Sequence, residues 1–160
     1  HDAQYYAQSA PALFGGIIGG INVAVCINPR PERGPFSSLL MGLGEFTRVH
    51  RHAMGAFVLP VDVPAPNPST WNSLAEALAA HDALVCQPEV DSRGGHPVLL
   101  SRKFCEHLLQ VPVESPAARL DLQIHEIDPP LLQRVEVTDR RVISNLNRPS
   151  EWREFKQGTS

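Results

Sequence analysis

The sequence predicts an α/β domain with a mostly parallel sheet and helices on both faces. Three features lead there. Short apolar runs rich in β-branched residues, INVAVCI at 21–27 and AFVL at 56–59 among them, alternate with stretches carrying leucines at helical spacing. Continuous apolar runs suit strands buried on both faces, as in parallel sheets. The fifteen prolines fall mostly between such runs, where they end elements.

A length of 160 residues suits a single domain, 1–160, with a full core. The formal net charge is −3, and no Lys/Arg cluster exceeds two adjacent residues. Neither a nucleic-acid stripe nor a basic membrane-binding face is expected. Cys26, Cys86 and Cys105 are odd in number and lack metal-type spacing. They suit buried thiols in a reducing cytoplasm better than a disulfide framework. The opening residues lack a basic segment followed by an apolar one, so no secretory signal is read there. The apolar run 12–27 is broken by four glycines and Asn22 and is too short to span a bilayer.

Taken in order, 2–13 mixes Ala, Gln and Tyr and reads as a helix ending near Pro11. Gly15, Gly16, Gly19 and Gly20 have no Lys, Ser or Thr after them, so they match neither a Walker loop nor a dinucleotide fingerprint. They read as a flexible connection into 21–27, a candidate central parallel strand. Residues 28–35 are a loop. Residues 36–46 form a helix with Leu39, Leu40 and Leu43 on one face, and Ser37 and Ser38 lie in its first turn, where free N–H groups favour an anion. His50 and His52 are two apart, a spacing that suits solvated surface better than a metal pair.

The stretch 56–66, AFVLPVDVPAP, is the centre of the functional reading. Pro60 cannot donate to a ladder, so the strand should end near it, with Asp62 just past the strand's C-terminal end. In open α/β sheets ligands collect there. A carboxylate on a proline-framed turn is a good ligand for a hard cation, although a turn acid or a helix cap explains Asp62 equally well locally. Beyond it the chain predicts a helix over 69–81, a strand at 83–86, a loop over 87–95, a strand at 96–100 and a helix at 103–109. A helix over 116–124 comes next. A strand at 134–137 then turns at Asp139-Arg140 into a return strand at 142–143. Residues 145–149 form an irregular corner before a last helix from Ser150.

Four stretches then line up in order: NP…GPFSSL…GL at 28–43, VLPVDVP at 58–64, RGGHPVLL at 93–100 and NLNRPSEW at 145–152. Together they resemble the MobA-like nucleotidyltransferases, a group that includes molybdenum-cofactor guanylyl- and cytidylyltransferases and is related to the sugar-phosphate nucleotidyltransferases. The resemblance implies a three-layer Rossmann-like nucleotidyltransferase fold. It implies transfer of a nucleotidyl group from GTP or CTP to a phosphorylated small-molecule acceptor, with release of pyrophosphate and with Mg²⁺ as cofactor. Asp62 matches the family's metal-binding acid, and Asn147, or else Asn145, matches the second metal-side position. Arg93, Gly95 and His96 match the loop that borders the acceptor, and Ser37 and Ser38 match the side that lines base or acceptor. Locally, Arg93 reads equally as a surface arginine and His96 as a strand-start histidine bonded to backbone.

One family feature has no counterpart: nothing matches the glycine-rich loop with its Arg and Lys that holds the triphosphate. The expectation is a C-terminal portion of the enzyme, with roughly 50 or more residues ahead of His1, the length of a βα unit or two, or with that segment on a second chain. The rival expectation is a non-catalytic nucleotide-binding or assembly module on the same fold, and a third is an unrelated α/β domain. Arg148 stands where the family often has a capping Thr, which predicts a less firmly started last helix.

Overall fold

The structure is a computed structural model that describes residues 7, 8 and 10–158. A five-stranded sheet is built from β3 (Gly55–Val58), β4 (Val85–Val90), β5 (Arg93–Gly94), β6 (Val98–Ser101) and β7 (Leu132–Glu136). Strand β6 pairs antiparallel with both β3 and β4, β5 pairs antiparallel with β4, and β7 pairs parallel with β4. The expected mostly parallel sheet is therefore corrected, since β4–β7 is the sole parallel pairing among the described strands of this sheet. The expectation failed for a topological reason. Strands β3, β4 and β7 do run the same way, but the returning strand β6 lies between β3 and β4.

Period-2 alternation gives each face of the sheet its own core. Val85, Val98 and Leu100 point to one face, where they pack with Phe36 and Leu43 of α1 (Pro35–Val49) and Phe104, Cys105 and Leu108 of α3 (Arg102–Leu108). Leu120 and Ile124 of α4 (Leu120–His125) pack on that same core. Cys86 and Leu99, one residue out of phase, meet Leu74 and Leu78 of α2 (Pro68–Ala80) on the opposite face. Helices thus cover both faces, as the sequence predicts. Ser101 ends β6 and starts α3 in one residue, its hydroxyl accepting from the Phe104 N–H at 3.2 Å. No helix among the described residues is long and apolar enough to cross a membrane.

Several expected elements change. The candidate central strand at 21–27 is reduced to β2 (Ile21–Asn22), exposed and paired with β1 (Ile17–Ile18) in a hairpin apart from the main sheet. Gly19 and Gly20 form its turn with φ of 56° and 82°, a left-handed pair that glycine adopts without strain. The glycines make a tight turn where a flexible connection was expected. A β-branched run becomes a long strand only when another strand offers a ladder, and Val25 and Cys26 instead line a small pocket together with Leu40 and Met41 of α1. The predicted loop 87–95 is mostly strand: β4 runs on to Val90 and turns through Asp91 and Ser92, with φ of 49° and 61°, into β5. The return strand at 142–143 is a 3-10 turn, Arg140–Ile143, because the Asp139 carboxylate accepts from the Arg141 N–H and winds the chain there. Half of the predicted 2–13 helix lies outside the described residues, 7 and 8 are helical, and Pro11–Gly15 is a 3-10 helix. The last helix, α5 (Pro149–Gly158), starts with half a capping box, since the Glu151 carboxylate accepts from the Arg148 N–H at 2.8 Å. Of the three thiols, Cys86 and Cys105 are buried as expected and Cys26 is exposed.

Candidate functional site

Strand β3 stops at Val58, and the Val63 N–H closes a turn on the Pro60 carbonyl at 3.2 Å. Asp62 rides on this turn, half-buried, past the strand's C-terminal end. Its carboxylate makes no hydrogen bond or ion pair with another described residue. It is not a helix cap either, because Asn67 precedes α2. The main chain of Asp62 is firmly held: its carbonyl accepts the Leu146 N–H at 2.7 Å. Leu146 is buried, and the exposed Asn145 and Asn147 stand on either side of it. One apolar anchor thus fixes a corner that carries two amides beside the Asp62 turn.

The corner has its own supports. Asp139, its side chain 8% exposed, accepts from the Asn67 N–H at 2.6 Å and from the Arg141 N–H at 3.2 Å. The Arg141 guanidinium lies over the Phe155 ring of α5, 6.0 Å from its centroid. These contacts bind 139–147 to the start of α2 and to the last helix.

His96 comes from the opposite side. The Gly95 N–H donates to the Pro88 carbonyl and the His96 N–H to the Val142 carbonyl, each at 2.8 Å. Glycine is required at Gly95, because a Cβ there would strike the Val142 carbonyl. The loop lies so close to its neighbours that the imidazole is fixed by backbone. Burial lowers the His96 pKa, and contacts with the Val58 backbone and the Asp62 charge oppose that shift. The buried His96 Nδ1 has no partner, which fits a neutral ring.

A cavity of about 1650 Å³ opens beside His96 and the 58–61 segment, and Asp62, Asn145 and Asn147 are not among its lining residues. Val58, Leu59, Pro60 and Val61, His96, the first turn of α1, α4, and residues of β4 and β7 line it. Small-molecule sites usually occupy about 300–1,000 Å³, so this one has room for two reactants.

The predicted site residues divide. Asp62 and the Asn145–Asn147 corner come together, and the Asp62 charge acts on His96. Ser38 lines the cavity, but Ser37 does not. Ser37 is buried, donating to the Gly34 carbonyl and accepting from Asn28 Nδ2, both at 2.7 Å. Gly95 is buried behind His96, and Arg93 lies exposed on β5 outside the cavity wall. The sequence reading missed Arg33, Arg119, Arg134 and Gln87, which all line the cavity. No motif marks them, because four separate segments deliver them.

The donor set fits a hard cation. One free carboxylate and two amide carbonyls are oxygen ligands of the kind Mg²⁺ takes. No cluster of three His, Cys, Asp or Glu side chains exists among the described residues.

The family described as MobA-like NTP transferase domain matches residues 6–127, more than half of the chain. The match includes Asp62 and His96 and stops short of the 145–147 corner. No curated protein matches the chain. Among solved structures, Rv0371c from Mycobacterium tuberculosis H37Rv is similar at a TM-score of 0.64 and 19% identity. That alignment covers 95% of this chain and 72% of the other, and it shows the fold. With the family match spanning the Asp62 turn and the His96 loop, this chain belongs to the MobA-like NTP transferase family.

Proposed function

We propose that the chain carries the metal and acceptor side of a nucleotidyltransferase. The reaction joins an acceptor phosphate to the α-phosphorus of GTP or CTP, breaks the bond to the β-phosphate oxygen and releases pyrophosphate. The observation that carries this reading is the backbone bond between Asp62 and Leu146, on a turn whose preceding residues, Val58 to Val61, line a cavity large enough for two reactants.

Both reactants are anions, and their repulsion opposes the attack. Asp62 and Asn147 would hold Mg²⁺, which would supply charge neutralisation between the two reactants. The protein's own contribution is placement. The Leu146 hydrogen bond ties the main chain of the Asp62 turn to the segment that carries Asn147. His96, kept neutral by burial, offers a ring that does not compete with the metal for phosphate. Gly95 gives the acceptor loop its close packing, and Ser38 faces the cavity from the first turn of α1. Arg93 is exposed and is not among the residues that line the cavity, so the acceptor side is assigned to His96 and its neighbours.

Pyrophosphate release with GTP or CTP, Mg²⁺ and a panel of phosphorylated acceptors tests the reading. The expected result is turnover that falls at least about 100-fold in Asp62→Ala, the scale of a lost metal ligand. Equal turnover in that variant would remove Asp62 from the chemistry. Nucleotide binding without any pyrophosphate release would favour a non-catalytic binding module.

A further inference from the structure

We infer that the acceptor is a phosphomonoester with an apolar body, not a sugar phosphate. The inference rests on the nucleotidyltransferase reading and concerns which acceptor that site takes. Much of the cavity's lining is apolar: Phe36 and Leu39 from α1, Val58 from β3, Leu120 and Ile124 from α4, and Leu132 from β7. Among the polar lining groups, Ser38 and Gln87 are engaged, His96 Nδ1 is buried without a partner, and His125 also lines the cavity. Ser38 Oγ accepts from Asn28 Nδ2 at 3.0 Å. Gln87 spans the Gly95 carbonyl at 3.4 Å and Arg134 at 3.5 Å. His96 faces the Val58 backbone, and its Nδ1 is buried. A hexose brings several hydroxyl groups. Each that left water for the apolar part of the lining would go unpaired, and unpaired buried hydroxyls are unfavourable. An aliphatic or aromatic body loses nothing there and gains the burial.

Cationic side chains also line the cavity. Arg33, Arg119 and Arg134 line the cavity, with Asp121 as the acid among the lining residues. Each arginine holds a solvent-exposed ion pair, with Glu114, Asp121 and Glu89 respectively. Such pairs are weak in water and exchange readily for a phosphate, which guanidinium binds through a planar fork. Arg134 is the best placed, because Gln87 connects it to the Gly95–His96 loop. The phosphate end would therefore sit at Arg134, with the apolar body between α1 and α4.

Calorimetry on the whole chain tests this with five probes: geranyl monophosphate, 1-naphthyl phosphate, glucose 1-phosphate, inorganic phosphate and geraniol. At least one apolar phosphate should bind tenfold or more tightly than glucose 1-phosphate, and more tightly than geraniol. Arg134→Gln should weaken that apolar phosphate about tenfold, and Ile124→Thr should weaken it while leaving inorganic phosphate unchanged. Glucose 1-phosphate binding as well as either apolar phosphate, or no apolar phosphate binding, would overturn the inference. Geraniol matching its phosphate would overturn the role of the arginines. The two readings fail separately. Nucleotidyl transfer to glucose 1-phosphate alone would sink the apolar acceptor and keep the enzyme. Tight apolar phosphate binding without pyrophosphate release from any nucleotide would keep the pocket and sink the enzyme.

Discussion

The main-chain N–H of Leu146 donates to the main-chain carbonyl of Asp62 at 2.7 Å, joining the turn after β3 to the corner before α5. Backbone makes this contact, so the Asp62 carboxylate stays free. The buried Leu146 side chain holds one end of the bond and the proline-framed turn the other.

That division of labour separates chemistry from stability. Asp62→Asn should leave thermal unfolding within about 0.5 kcal/mol of wild type, as for a side chain without partners, while pyrophosphate release falls steeply. A structural capping role would instead cost about 0.5–2 kcal/mol. Asn147→Ala should also lower turnover. The double variant should be little worse than Asp62→Asn alone, since both groups serve one ion. Fully additive losses would argue against a shared ion.

Gly95→Ala should destabilise the fold by about 1–3 kcal/mol, the usual range for forcing a methyl group into packed surroundings. The Val142 carbonyl that a Cβ would strike is the one that accepts the His96 N–H. The substitution should therefore displace His96 as well. Chemical denaturation together with the His96 imidazole NMR resonances would detect both effects, and an unchanged midpoint would contradict the close packing.

Burial lowers the pKa of His96 in the folded chain. As pH falls below the unfolded value of about 6.5, the unfolded chain takes the proton first. Stability is therefore full above that pH and is lost as pH drops toward the folded pKa. Unfolding free energies between pH 7.5 and 5 should show this slope, and His96→Gln should flatten it. An identical slope in the variant would assign the loss to other groups.

The thiols should separate by reactivity. Burial raises the pKa of both Cys86 and Cys105 to about 11, so neither offers thiolate near neutral pH. Cys26 is exposed. A thiol reagent at pH 8 should label one cysteine rapidly in the native chain and all three after denaturation. Rapid labelling of Cys105 would show that α3 does not stay docked.

Local chemistry made much of the molecule legible. Pro60 ended β3 where it had to, because proline cannot donate to a ladder, and Asp62 was left just beyond it. Leucine spacing marked α1 and α2, and proline entry marked the start of α2. The family, too, could be read from the order of four short motifs. The tertiary structure alone decided that β6 returns between β3 and β4, that 21–27 goes largely unpaired, and that Arg33, Arg119 and Arg134 line one cavity. The physical reason is the range of the forces concerned. Turn propensity and hydrophobic period act over a few neighbouring residues. Strand partners and cavity walls come from segments far apart in the chain, chosen by how the whole sheet buries its two faces.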